Sequence, residues 1–289
     1  MLIIDGGMIA FAGYHVLKGK VQWPLTFQIP RMVRALVAAS GEPYLLCWNS
    51  ERLWKSELWP AYQANRPEIW DLAGRKDYET MIEVLAALGA VQLRAEGLES
   101  DEVLAALVHR FRGREPIVII SDDKDFFQLL SSSVRMRGRV RGDVRWSDVK
   151  KILGVSPAYV ADFLALSGDP TDGIPRVVRP ITALKLIETR GHVRNWIDRD
   201  LRVAPGLRQR LKEGRAQIGI NLALVDLSRE AVEGRGAPGE PILEGWGDLD
   251  HARRIGRRTK VAWLRENDLA ESWAPLRRGG ERAREILGV

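Results

Sequence analysis

Apolar positions along this chain fall into short uninterrupted runs and longer runs of helical period, and the two kinds alternate. Residues 2–4, 43–48 and 117–120 are continuous apolar stretches, too short for helices and lacking the alternation of a half-exposed strand. Each therefore predicts a strand covered on both faces, as in a parallel sheet. Residues 31–40 carry apolar side chains at helical spacing and stop before Gly41, a good left-handed C-terminal residue. The same logic predicts a helix over about 78–88 closed by Gly89, a short strand at 91–94 and a helix over about 101–111. Alternating strands and helices imply an α/β fold with a mostly parallel sheet.

Each strand-like run stops at polar groups. The first ends at Asp5, the second at Asn49, and the run Ile117–Ile120 ends at Asp122, Asp123 and Asp125. In open α/β sheets ligands bind at the carboxyl edge, so Asp123 and Asp125, two apart in a turn, suit a shared cation. The plainer reading is that all three acids cap a turn or a helix start, with Asp122 the clearest such case. Glu99, Asp101 and Glu102 crowd the first turn of the helix behind Ser100, a plausible N-cap, where the dipole favours acids regardless of function. Asp101, however, precedes Leu104 and Val108 by three and seven residues, on the stripe that should face the core. An inward carboxylate needs a partner, and a metal is a good one.

Between 48 and 78 the character changes. Trp54-Lys55, Tyr62-Gln63 and Asn65-Arg66 mix aromatic and basic or amide groups in a way that suits a nucleic-acid strand, although a lid would look similar. Residues 134–146 predict a hairpin, and Ser147 a cap for a helix ended by Gly154. Ser156-Pro157 then opens a helix to Ser167, closed by Gly168. A tight loop holding Asp169 and Asp172 leads to a helix over about 182–189. Residues 230–247, rich in Gly and Pro, read as a linker before charged C-terminal helices.

Composition narrows the class. At 289 residues the chain suits one domain of about 150 residues plus a smaller one. Its 45% hydrophobic and 28% charged residues describe a soluble globular protein, and no apolar segment approaches the roughly 18 residues of a membrane span. The N-terminus begins a strand at once and shows no targeting signal, and the single cysteine, Cys47, lies in an apolar run. A cytoplasmic location is expected. The net charge of +6 is weighted towards arginine, with clusters at 135–145 and 253–260. That favours nucleic acid over small acidic substrates, the bland alternative being a solvated basic face.

Taken in order, Ile-Asp5-Gly, Trp54-Lys-x-Glu-Leu with Tyr62-x-x-Asn-Arg66, Glu99-x-Asp-Glu102, Ser121-x-Asp-x-Asp125 with Gln128-Leu, Gly168-Asp-x-x-Asp172-Gly-Ile-Pro, Thr182-Ala-Leu-Lys-Leu-Ile187 and Leu224-Val-Asp-Leu227 resemble the 5′ nuclease family, the 5′ to 3′ exonucleases and flap endonucleases, and its phage members most closely. The resemblance covers roughly residues 1–230. It implies a PIN-like catalytic domain over 1–152 with an arch region at about 50–78, a helix-three-turn-helix duplex-binding domain over 153–229, and a C-terminal extension over 230–289. It implies two divalent ions, Mg²⁺ with Mn²⁺ able to substitute, held by Asp5, Glu99, Asp101, Glu102, Asp123, Asp125, Asp169 and Asp172, with Asn49 a weaker candidate ligand. Lys55 and Arg66 match the family's basic positions near the scissile phosphate. Tyr62, Gln63, Arg176, Arg179 and Lys185 are then the expected DNA contacts. The partner would be DNA with a 5′ end, flap or nick, or an RNA–DNA hybrid, and the protein a monomer.

The departures bear on activity. Gln63 replaces a lysine of the family pattern, Met8 a customary asparagine, and Asn49 stands where an aspartate is usual; Glu102 replaces Asp. Between Pro175 and Thr182 the duplex-gripping hairpin is two residues shorter than usual and lacks its glycines, which argues against the family's potassium-type site. The expectation is a metal-dependent 5′ to 3′ DNA exonuclease with flap endonuclease and RNase H activity, working in replication, repair or recombination. Two alternatives stand beside it: a catalytically impaired, structure-specific DNA-binding protein, motivated by Asn49, Gln63 and the short hairpin, and a PIN-type RNase, which leaves the 168–187 motif unexplained.

Overall fold

The computed structural model describes residues 1–50, 54–64, 72–199, 202–266 and 268–289. The apolar runs form strands as expected: β1 (Leu2–Asp5), then helices α1 (Gly6–Leu17) and α2 (Pro24–Ser40), β2 (Tyr44–Trp48), α3 (Trp54–Leu58), α4 (Leu72–Ala87), β3 (Gln92–Arg94), α5 (Ser100–Phe111) and β4 (Ile117–Ile120). A 3₁₀ turn, Lys124–Leu129, precedes the hairpin β5 (Val134–Gly138) and β6 (Gly142–Val144). The described residues form one seven-stranded sheet of order β6-β5-β4-β1-β2-β3-β7. Its inner pairs are parallel; β6 and β7 (Glu240–Pro241) are antiparallel edges. Every residue of β1, β2 and β4 is buried, the physical counterpart of their unbroken apolar sequences.

Alternate residues of these strands feed two cores. Ile3, Leu45, Cys47 and Ile119 face α5 and the helices that follow β6. Leu2, Ile4, Leu46 and Ile120 face α1, α2, α4 and the C-terminal helices. Beyond β6 come α6 (Trp146–Leu153), a 3₁₀ turn Pro157–Tyr159, α7 (Val160–Ser167), α8 (Pro180–Arg190), α9 (Pro205–Glu213), α10 (Arg215–Val225) and α11 (Arg229–Glu233). The turn from α7 to α8 needs Gly168, whose φ is +71° and where a Cβ would lie 2.6 Å from the Arg176 nitrogen. Asn221 on α10 ties this helix–loop–helix together by donating to the carbonyls of Ala165 and Pro175, each at 2.8 Å.

Several expectations need correction. Gly6 and Gly7, for which the sequence predicts no element, start α1, capped by the Asp5 carboxylate on the Met8 nitrogen at 3.1 Å. Gly6 is required by packing, because a Cβ there would sit 2.3 Å from the Trp48 ring. α2 starts at Pro24, earlier than its apolar period suggests, with proline in the first turn where its missing N–H costs nothing. Ser147 is not a cap: α6 begins one residue earlier, and Asp148 accepts the Arg145 N–H at 2.9 Å. The stretch 230–247 is no free linker, since β7 pairs with β3 (Leu93 with Pro241, Arg94 with Glu240) and the Ile242 N–H reaches the Gln92 carbonyl at 2.8 Å. Its glycines and prolines mark turns in a segment bound to the sheet. Behind it, α12 (Leu249–Thr259), α13 (Leu269–Ser272) and α14 (Ala274–Leu287) close the second core, with Trp263 and Trp273 stacked at 4.7 Å.

Candidate active site

The carboxyl ends of β1, β2, β3 and β4 open into one cleft of about 680 Å³, whose wall includes Asp5, Asn49, Glu99, Asp101, Asp123 and Asp125. Asp172, from the α7–α8 loop, closes its far side. Asp5 is almost fully buried and receives hydrogen bonds from Ser100 Oγ and Ser121 Oγ, both at 2.9 Å, besides its cap bond to Met8. Burial, with the charge of Asp123, outweighs those donors and raises its pKa above the usual carboxylate value. Asp123 accepts the Asp125 N–H at 2.9 Å, so the plain turn-capping reading holds for Asp123 as local structure without removing it from the cleft. Burial first, then the neighbouring charges of Asp123, Asp172 and Asp169, push Asp125 up to about 8, against the opposing pull of Lys124.

Two lysines sit among these acids. Lys55, only 1% exposed, bridges Glu99 at 2.7 Å and Asp101 at 2.9 Å. Burial opposes its charge, but the two carboxylates prevail and its pKa is raised. Asp101, whose core-side position called for a partner, finds this ammonium. Lys124 bonds to Asp169 and lies 3.4 Å from Asp125. Its pKa is raised by those acids although burial works against it, and Asp169 is lowered because the lysine's hydrogen bond and charge overcome its burial. Lys124 was missed in the sequence, where it reads as a spacer between two acids; its position next to Asp123 and Asp125 was the available signal.

The remaining predicted residues divide. Glu102 does not face the cleft and is withdrawn as a ligand. It is fully buried, accepts from Trp54 Nε1 at 3.0 Å and from the Glu99 N–H at 3.1 Å, and pairs with Arg235 at 3.2 Å. Glu99 and Glu102 form a capping box at the start of α5, so Glu99, not Ser100, is the N-cap residue. Asn49 lines the cleft, but its amide oxygen accepts the Ser100 N–H at 2.7 Å. Tyr62 is not an open stacking platform: it is 6% exposed, and its hydroxyl donates to Glu99 at 2.7 Å. Trp54 and Trp59 are likewise anchored inward, Trp59 on the Gly173 carbonyl at 3.1 Å. Aromatic composition could not distinguish such anchors from stacking surfaces. Gln63 holds a left-handed φ of +53°, its side chain donating to Glu99 and its N–H to the Asp172 carbonyl, both at 2.9 Å. Arg176, Arg179 and Lys185 are exposed around the α7–α8 turn, and Arg66 lies outside the described residues.

The chemistry of this site suits a hard divalent cation: several buried carboxylate oxygens, some with raised pKa, share one cleft. Among the described residues no three of them yet enclose an ion; the lysines draw the acids into pairs. The sequence profile of the 5′-3′ exonuclease N-terminal resolvase-like domain matches residues 1–154. The chain belongs to that family.

Relatives of this 5′-3′ exonuclease-family chain include DNA polymerase I of Mycobacterium bovis, 27% identical over 273 residues, which cover 88% of this chain and 30% of the relative. The chain thus spans about 30% of the length of such curated relatives. Among solved structures, the bacteriophage T5 D15 protein crystallised with metal ions superposes with a TM-score of 0.69 at 20% identity, covering 94% of this chain and 98% of the other. The T5 D15 flap endonuclease with DNA and metal ions gives 0.66 at 18%, covering 97% and 98%. The 5′ nuclease fold of the family therefore runs through nearly the whole chain. No helix among the described residues is long and apolar enough to cross a membrane.

Proposed function

We propose that this chain is a metal-dependent 5′ to 3′ DNA exonuclease that also cuts 5′ flaps and the RNA strand of RNA–DNA hybrids, and that it acts as a monomer in replication, repair or recombination. The observation that carries this is the gathering of Asp5, Glu99, Asp101, Asp123, Asp125 and Asp172 at one sheet edge, with Asp125 raised to about 8 by burial and by its acidic neighbours. Two Mg²⁺ or Mn²⁺ ions held by these residues and Asp169 would supply Lewis-acid stabilisation and an ionised water. The chain does the rest. Ser100 and Ser121 fix the orientation of Asp5, and Lys55 holds Glu99 and Asp101 while adding positive charge beside the reacting phosphate. Arg66 is the proposed second cation there. Tyr62 and Gln63 act through Glu99, while Arg176, Arg179 and Lys185 grip duplex phosphates. The test uses 5′-labelled and 3′-labelled duplex, flap and hybrid substrates with Mg²⁺, Mn²⁺ or EDTA. Short 5′-end products with either metal and none in EDTA are expected; uncut substrates in every condition would sink the proposal.

A further inference from the structure

Glu102, withdrawn from the cleft, sits on a closed circuit of contacts that leads to the cleft from behind. Its Oε1 accepts from Trp54 Nε1 at 3.0 Å and from Arg235 Nη1 at 3.2 Å. Its Oε2 accepts the Glu99 N–H at 3.1 Å, and Glu99 Oε2 in turn meets Lys55 at 2.7 Å. Lys55 follows Trp54 on α3, and the circuit closes where the Arg235 guanidinium lies over the Trp54 ring, 4.2 Å from its centre. Arg235 is itself fixed. Its Nη2 donates to the Ala223 carbonyl near the end of α10 at 3.0 Å, and the N–H groups of Arg235 and Ala237 both turn back to the Val232 carbonyl. By contrast α3 is a single turn of five residues, too short to hold its shape by its own hydrogen bonds, so its side-chain anchors decide where Lys55 points. Trp54 is gripped on its face by a cation and at its edge by a carboxylate that is fully buried. A guanidinium that stacks and forms hydrogen bonds in a partly dry setting holds far better than an exposed ion pair.

We propose that Arg235 is a positioning residue for phosphodiester cleavage, clamping Trp54 so that Lys55 stays at Glu99 and Asp101. The segment between α11 and β7 thereby acts on the cleft without touching the substrate. The inference rests on the nuclease reading for the role of Lys55. A residue that works only through Lys55 loses its effect once that lysine is gone. With the full chain, Mg²⁺ and a 5′-labelled flap, Arg235→Ala should lower kcat about 10-fold and leave KM within about twofold, as for a reacting group displaced by a fraction of an ångström. Placed on Lys55→Met, the same change should cost less than about twofold more. Amide exchange across 54–62, where the Trp59 N–H bonds to the Lys55 carbonyl and the Tyr62 N–H to that of Trp59, should quicken about 10-fold in Arg235→Ala while that of β1 stays unchanged. Should Arg235→Ala fail to fold, Arg235→Lys, which keeps a cation for Glu102 but not the flat face over Trp54, goes through the same cycle with an expected loss of about 5-fold in kcat. An unchanged kcat, an equal loss with and without Lys55, or unchanged exchange across 54–62 overturns this inference while the parent chain still cuts. A parent chain that cuts nothing overturns the nuclease reading instead; quickened exchange would even then uphold the clamp, and unchanged exchange would overturn it too.

Discussion

Asp125→Asn separates the charge of the site from its shape. In the folded chain without cations Asp125 titrates at about 8, against an ordinary 3.8, so between these values the native state keeps a proton that the unfolded chain has lost. Native-state stability therefore falls as pH rises through that window, and the full penalty is present above about 8. The difference of about four units sets a ceiling of about 6 kcal/mol at 1.36 kcal/mol per unit. The turn can relax and the neighbouring charges can rearrange, so about 2–3 kcal/mol is the expected gain when an amide removes the charge. For a chain of this length, with an unfolding entropy of about 2.1 cal/mol/K per residue, that corresponds to a rise in Tm of about 3–5 °C at pH 9 in EDTA, fading towards pH 4. With saturating Mg²⁺ the order should invert, because the parent gains binding energy that the variant lacks. Thermal melts across pH, with and without metal, check both signs. An unchanged or lowered Tm at pH 9 in EDTA would refute the claim that buried acids at this position repel one another.

Three other outcomes follow from the geometry. Glu102→Gln should lower stability by about 1–3 kcal/mol, by weakening a buried pair with Arg235, yet leave Mg²⁺ affinity unchanged in a calorimetric titration; a loss of metal affinity would return Glu102 to the site. Asn49→Asp should keep its hydrogen bond to the Ser100 N–H, which the dipole of α5 strengthens, and so change the Mg²⁺ concentration for half-maximal cleavage less than twofold, whereas a clear drop would make residue 49 a ligand. Changing Arg176 and Arg179 together to Ala should reduce the salt slope of duplex binding by roughly one to two, and an unchanged slope would mean that both face bulk solvent.

The strands were legible because burial on both sides of a parallel sheet demands unbroken apolar sequence, and the acids at their ends were legible because that edge is where such sheets bind ligands. What the sequence hid was orientation. Glu102 follows Glu99 by three residues, the spacing of a capping box, and local capping competed successfully with the expected role at the metal. Tyr62 and Trp54 looked like a surface for bases, but each has a polar atom that is satisfied by an inward partner, as has Trp59 between them. Residues 230–247 look loose on composition alone, since a two-residue strand pairing across the sheet leaves almost no periodic trace. Lys124 had no periodic signature at all, because its significance depends on Asp169, brought near only by the fold.

The pairing of Glu240–Pro241 with β3 bears on how this protein can be handled. β3 is three residues long, and the loop after it carries Glu99. Ending the chain after Val232 would strip one side of that strand of its hydrogen-bond partner and uncover the apolar face now filled by Trp263, Trp273 and Leu276. An unprotected strand of this kind recruits another copy of itself. Shortened versions should accordingly form oligomers before they lose helical content, so that what resembles a dispensable tail acts as the protein's safeguard against self-association.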